Sequence, residues 1–166
     1  MAAVSAQRQL DGFIAKYSPE MQRQAKAAIR KMRARLPGAV EMVYDNYQWL
    51  VVGYGPNDRA SEALFSLVFA PAHVSICFLR NARRLSDPAK LLRGEGSVVR
   101  NVRLVEGVDV DSPAVDALMR EAEHLCGDPI PKTAQRVLII KSVSEKQRPR
   151  RPAPPKARAR SAARKK

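Results

Sequence analysis

The chain has 166 residues, of which 45% are hydrophobic, so a single domain with one adequate core is expected. Its apolar runs are shorter than the ~18 residues of a membrane-spanning helix and its first residues lack the pattern of a secretory signal, so we expect a cytoplasmic protein without membrane contact. The formal net charge is +14, yet residues 1–131 have 17 Lys/Arg against 15 Asp/Glu, whereas residues 132–166 have 13 against one.

Two amphipathic helices are predicted at the start of the chain. Apolar residues recur at helical spacing over Leu10–Tyr17, and Ser18-Pro19-Glu20 is typical of a second helix start. An apolar stripe continues this second helix from Met21 to Leu36, and Pro37-Gly38 ends it. Its opposite face is basic, which we interpret as a solvated face, with a phosphate-facing surface as the alternative. The basic residues of this face are Arg23, Lys26, Arg30 and Arg33.

The middle of the chain predicts a mainly antiparallel sheet. Val40–Tyr44 and Tyr47–Tyr54 are predicted strands joined by a turn at Asp45-Asn46. The run Ala63–Leu79 contains no Asp, Glu, Lys or Arg, is rich in β-branched and aromatic residues, and breaks at Pro71. We interpret this run as the central hairpin, because a helix would carry a proline in its middle at a cost of about 3 kcal/mol or more.

The remaining elements complete an α+β fold. Asp87–Leu92 predicts a short helical turn, and Val98–Val105 predicts a further strand. A last helix is predicted from Ser112-Pro113 to Gly127, and Val137–Ile140 predicts an edge strand. We therefore expect a mainly antiparallel sheet of five or six strands, with two N-terminal helices and one C-terminal helix packed on it.

The basic excess belongs to the C-terminal end of the chain. Residues 145–166 contain four prolines, no aromatic residue and no apolar side chain larger than Ala, so they cannot bury enough surface to fold. We expect a domain at residues 1–144 and a disordered tail at 145–166. Nine basic residues of the tail are predicted to bind nucleic acid or another polyanion without base specificity. They are Arg148, Arg150, Arg151, Lys156, Arg158, Arg160, Arg164, Lys165 and Lys166.

The sequence presents no recognisable catalytic or metal-binding pattern. The glycines lack the spacing of a dinucleotide or P-loop fingerprint. Cys77 and Cys126 match neither a disulfide framework nor a zinc pattern, so two reduced thiols are expected. His73 and His124 indicate packing or surface positions, with a Cys–His dyad or a weak metal site at His124 as the alternatives. We expect no enzyme activity, no metal and no cofactor.

Four aromatic residues cluster in the predicted first hairpin. They are Tyr44, Tyr47, Trp49 and Tyr54. Aromatic side chains on a sheet beside a basic helix can stack on nucleic-acid bases. The favoured interpretation is that they fill a core or line a small pocket.

The order of these motifs resembles the YdhG-like family of small bacterial domains of unknown function. The resemblance covers roughly residues 10–126 and is strongest in four segments. They are FIAKYSPE at Phe13–Glu20, LPGA at Leu36–Ala39, FAPAHVSICFL at Phe69–Leu79 and GEGSVVRNVRL at Gly94–Leu104. It implies an α+β domain with helices packed on one antiparallel sheet. Some relatives are likened to frataxin and proposed as iron chaperones, a role that depends on an acidic surface.

Two functional hypotheses follow. In the first, the chain is a non-enzymatic binding or accessory protein whose tail contacts nucleic acid or another polyanion. In the second, it is a frataxin-like iron carrier that uses the acidic segment 106–128.

Overall fold

Three helices and six strands make up the part of the chain that the computed structural model describes, residues 3–133 and 135–154. The helices are α1 (Ala6–Ile14), α2 (Pro19–Arg35) and α3 (Pro113–Leu125). The strands are β1 (Val40–Asp45), β2 (Leu50–Gly55), β3 (Phe65–Phe69), β4 (Val74–Phe78), β5 (Arg100–Leu104) and β6 (Val137–Val143). The predicted α+β class is confirmed.

The six strands form one sheet in the order β5-β4-β3-β2-β1-β6. The pairs β1–β2, β2–β3, β3–β4 and β4–β5 are antiparallel, whereas β6 pairs parallel with β1 at the edge. The run Ala63–Leu79 is the β3–β4 hairpin, as predicted, and β3 lies in the middle of the five antiparallel strands. The predicted edge strand at Val137–Ile140 is also present and continues to Val143.

The core lies on one face of the sheet. Because side chains alternate along a strand, one row of registered residues points to the same side. Val43, Val52, Leu67, Ile76 and Val102 form such a row, and each is at most 1% exposed. The buried residues of all three helices belong to the same core cluster.

Local signals set the helix ends. The side-chain oxygen of Ser18 accepts a hydrogen bond from the backbone N–H of Met21, and Pro19 occupies the first helical position of α2. After α3, Gly127 adopts a φ of +78°, which favours glycine over residues that carry a Cβ atom. The sequence therefore predicted the start of α2 and the end of α3 correctly.

Three predicted elements are different in the structure. The first helix, predicted over Leu10–Tyr17, is α1 at Ala6–Ile14 and begins after the N-cap Ser5. β2 begins at Leu50 rather than Tyr47, because the β1–β2 ladder closes at the Asp45–Leu50 pair. Tyr47 and Trp49 therefore lie in the connection before the strand. The predicted helical turn at Asp87–Leu92 is a non-helical turn, because the carboxylate of Asp87 accepts the backbone N–H groups of Leu91 and Leu92.

The hydroxyl group of Tyr17 connects the α1–α2 junction to the sheet. The side chain is 1% exposed, and its hydroxyl donates to the carbonyl oxygen of Phe69 at 2.5 Å. The same oxygen accepts the backbone N–H of Leu50 at 3.1 Å. Burial raises the pKa of Tyr17, so the hydroxyl stays protonated near neutral pH. Two strands are thereby held to the helical layer by one polar group.

Among the residues that the structure describes, no helix is both long enough and apolar enough to cross a membrane.

Replacement of Tyr17 tests the hydrogen bonds that its hydroxyl group forms with β2 and β3. Tyr17→Phe keeps the ring but leaves a buried carbonyl and a buried N–H group unpaired, so the free energy of unfolding should fall by about 1–3 kcal/mol. Tyr47→Phe removes the same hydroxyl from a residue that is 57% exposed, and it should leave stability unchanged. Urea unfolding of the two variants makes the comparison. Equal stability of both variants would contradict a structural role for the Tyr17 hydroxyl.

Candidate polyanion-binding surface

The first residues of the predicted tail are docked on the domain. The backbone N–H of Ser144 donates to the carbonyl of Asp45 at 2.8 Å, and that of Arg148 donates to the carbonyl of Tyr47 at 2.8 Å. The expectations of a domain ending at Ser144 and of disorder from residue 145 are therefore wrong for residues 145–151. Residues 155–166 lie outside the described residues.

A buried ion pair holds this docked segment. Arg150 is 4% exposed, and its Nη2 lies 2.9 Å from Oδ1 of Asp45, which is fully buried. The guanidinium also donates to the carbonyl oxygens of Asn46 at 2.5 Å and Gln48 at 2.6 Å. Arg150 therefore donates hydrogen bonds to backbone carbonyl groups in the connection between β1 and β2 as well as to the carboxylate of Asp45.

Lys16 is a second cationic partner of Asp45 and pairs with its other carboxylate oxygen. Its Nζ lies 2.7 Å from Oδ2 of Asp45 and 2.9 Å from the side-chain oxygen of Gln147. Burial by itself would raise the pKa of Asp45, but hydrogen bonds with Lys16, Gln147 and Arg150 outweigh it and hold that pKa below its usual value. The stability that this carboxylate contributes is present above the usual Asp pKa of about 3.9 and is lost as the pH falls through the lower folded value.

The nine predicted polyanion-binding residues have different positions. The prediction is wrong for Arg150, because its side chain is buried against Asp45 and cannot reach a phosphate from there. Arg148 and Arg151 are exposed, and Nε of Arg151 donates to the carbonyl of Lys16 at 3.4 Å. The other six lie outside the described residues: Lys156, Arg158, Arg160, Arg164, Lys165 and Lys166.

A second basic surface lies between α1 and α2. It surrounds a cavity of about 370 Å³ whose floor includes the buried side chains of Leu10 and Ile29. Four cationic side chains line this cavity, together with one carboxylate, Asp11. We call the four cationic residues the basic groove: Lys26, Arg30, Arg33 and Arg136. Arg136, which precedes β6, is the member that sequence reasoning missed.

The groove has an excess of positive charge. Nε of Arg33 lies 2.8 Å from Oε1 of Glu41, and Nε of Arg136 lies 3.4 Å from the same oxygen. Two guanidinium groups thus share one carboxylate, which is 1% exposed. Lys26 and Arg30 are exposed, and neither has an ion-pair partner among residues 3–133 and 135–154. The groove can therefore offer charge to an anion without first breaking an internal pair.

The docked segment ends beside the groove. Gln7 near the start of α1 accepts a hydrogen bond from Arg33 near the end of α2, so the two helices run in opposite directions. The end of α1 consequently lies near the start of α2, and Arg151 contacts Lys16 there. Arg151 therefore lies at the end of the groove where α1 ends and α2 begins.

The acidic segment 106–128 is largely engaged with cations. Lys31 lies 2.5 Å from Asp109 and 3.0 Å from Asp111. Arg35 bridges Asp116 and Glu123 at 3.0 and 2.8 Å. Within the part of the chain that the structure describes, no group of three His, Cys, Asp or Glu residues could hold a metal ion.

The cysteines and the residues of the aromatic cluster occupy different environments. Cys77 and Cys126 are both free thiols, and burial raises the pKa of Cys77. Tyr54 is fully buried, and burial together with the nearby Glu41 raises its pKa well above the usual value, so it is a protonated core residue. Tyr47 is 57% exposed, which contradicts a core role for that member of the aromatic cluster.

Comparison of the chain with protein-family models, with curated proteins and with solved structures gave no match. The resemblance to the YdhG-like family thus stays a prediction from sequence motifs.

A matched pair of variants tests the role of Arg150. Arg150→Gln leaves the Asp45 carboxylate buried with one cationic partner fewer, so the free energy of unfolding should fall by about 3 kcal/mol. Arg148→Gln removes the same charge from an exposed position two residues earlier in the same segment and should be neutral within about 0.5 kcal/mol. Urea unfolding at neutral pH measures both. A neutral Arg150→Gln variant would contradict the buried anchor.

Proposed function

We propose that this chain is a non-enzymatic binding protein that holds nucleic acid or another polyanion without base specificity. The proposed surface combines the basic groove with the basic residues that follow Arg151. This proposal rests on the exposed charges of Lys26 and Arg30, which have no ion-pair partner in the described part of the chain. They lie beside two guanidinium groups that share a single carboxylate.

The distribution of ion pairs supports the choice of surface. Lys31 and Arg35 lie on the same helix as the groove, but they are engaged with the acidic segment. Exposed ion pairs contribute little stability, but each pair must be broken before its cation can contact a phosphate. The groove residues Lys26 and Arg30 carry no such cost.

The position of Arg150 and the length of the chain that follows it support a composite surface. Arg150 fixes the chain next to the start of α2, and six of the predicted polyanion-binding residues follow within residues 155–166. Twelve residues can span at most about 40 Å, whereas α2 is about 26 Å long. A polyanion in the groove is therefore within reach of the tail.

Phosphate contacts without base contacts give binding that depends on salt and not on sequence. If about 6 phosphates are contacted, affinity should fall roughly 10³-fold between ~50 and ~200 mM salt. This behaviour would separate the proposed function from recognition of one defined site.

The groove is tested by neutralising two of its residues. Lys26→Gln/Arg30→Gln should reduce the slope of log affinity against log salt by about 2 for a mixed-sequence DNA duplex, because each cation releases about one counterion. Fluorescence anisotropy over a series of salt concentrations measures the slope. The matched control is Arg83→Gln/Arg84→Gln, which removes two exposed charges from the connection between β4 and β5 and should leave the slope unchanged.

The outcomes separate the parts of the proposal. An unchanged slope in the groove variant would exclude the groove and leave the tail as the binding element. Absence of DNA, RNA and heparin binding by the full chain at ~150 mM salt would overturn the proposed function.

A further inference from the structure

A second cavity lies at the other side of α2, away from the basic groove. It has a volume of about 640 Å³, within the range of ordinary small-molecule sites. Its walls come from α2, from the β3–β4 turn with the start of β4, and from the end of β5 with the loop that follows. Apolar wall residues include Ala28, Val74, Leu104 and Val108.

Arg103 gives this cavity its polar character. Its Nη2 lies 3.5 Å from Nε2 of His73, and both residues line the cavity. Nε of Arg103 is inaccessible to solvent and has no hydrogen-bond partner within residues 3–133 and 135–154. A ligand oxygen is about as large as a water molecule, so an anion in the cavity would contact the terminal nitrogens of the guanidinium and not Nε.

The charges around His73 favour an anion. Burial, followed by the charges of Arg103 and Arg93, lowers the pKa of His73, so its imidazole is neutral near neutral pH. Two carboxylates also line the cavity. Asp109 is engaged with Lys31 at 2.5 Å and with the backbone N–H of Val110 at 2.7 Å, whereas Glu106 is exposed. The charge in contact with the imidazole is the positive charge of Arg103, whose Nη2 lies 3.5 Å from Nε2 of His73.

We propose that this cavity binds a small molecule that carries a carboxylate or phosphate group, with the anionic group at Arg103 and His73 and the body of the molecule against the apolar walls. Arg103 is the group that recognises the anion, because a guanidinium can donate two parallel hydrogen bonds to a carboxylate or phosphate. His73 supplies a hydrogen bond from its neutral ring. This site is independent of the proposed polyanion-binding surface.

The two histidines of the chain allow a direct test. The imidazole C2 proton signals of His73 and His124 are followed by NMR against pH, with inorganic phosphate or butyrate added at constant ionic strength. A bound anion offsets the charge of Arg103, so the pKa of His73 should rise with a saturable dependence on the probe. His124 is on the exposed surface of α3, where its side chain is 84% exposed, and it should not respond. A response to one probe alone identifies whether phosphate or carboxylate is bound.

Variants of β5 complete the experiment. Arg103→Gln should raise the pKa of His73 without any probe, because a repelling charge is lost, and it should abolish the response to the probe. Arg100→Gln removes an equal charge from the same strand, where Nε donates to the carbonyl of Gly96, and should keep the response. Equal shifts of His73 and His124, a response that survives in Arg103→Gln, or no response to either probe would overturn the proposal.

Discussion

A carboxylate that is fully buried at the end of β1 determines how the C-terminal part of this chain is arranged. An isolated buried charge is prohibitively costly, so Asp45 needs cations and hydrogen-bond donors close by. Lys16 comes from the α1–α2 junction and Arg150 from beyond β6. The side chain of Asp45 therefore connects these two segments to the end of β1. The stretch that looks like the start of a polar tail is thereby part of the folded domain.

The same constraint decides which basic residues remain available. Arg150 is lost as a surface charge, but its docking places Arg151 beside Lys16, just before the start of α2. Along α2, cations on one side are neutralised by the acidic segment. Those on the other side face the groove, where Arg33 and Arg136 share Glu41 and Asp11 is the carboxylate of the lining. A helix that is basic throughout its sequence thus has one neutralised side and one side with excess positive charge.

Features with local causes were predictable from the sequence. The start of α2 follows from Ser18 and Pro19, and the β3–β4 hairpin follows from the uncharged alternating run around Pro71, because each depends on neighbouring residues. Two other features have partners far along the chain. β6 pairs with β1 across almost one hundred positions, and Arg150 pairs with Asp45 across 105. No local pattern distinguishes Arg150 from Arg148 or Arg151, so its burial could not be predicted.

The candidate sites also combine features that have local causes with features that depend on residues far apart in the chain. The basic face of α2 was visible as a helical stripe in the sequence, but the contribution of Arg136 depends on where β6 begins. The pairing of Arg103 with His73 depends on the register between β4 and β5, which places Ser75 opposite Arg103. Composition alone therefore indicated a polyanion-binding tail and gave no sign of a second cavity.

The most direct test of this account compares two shortened chains, one ending at Pro154 and one ending at Ser144. The first keeps Gln147 and Arg150, and the second leaves Asp45 buried with Lys16 as its remaining cationic partner among the described residues. In urea unfolding, the chain ending at Ser144 should be less stable by about 3 kcal/mol or more, because the buried pair is broken. Equal stability of the two chains would show that residues 145–154 are not part of the folded domain.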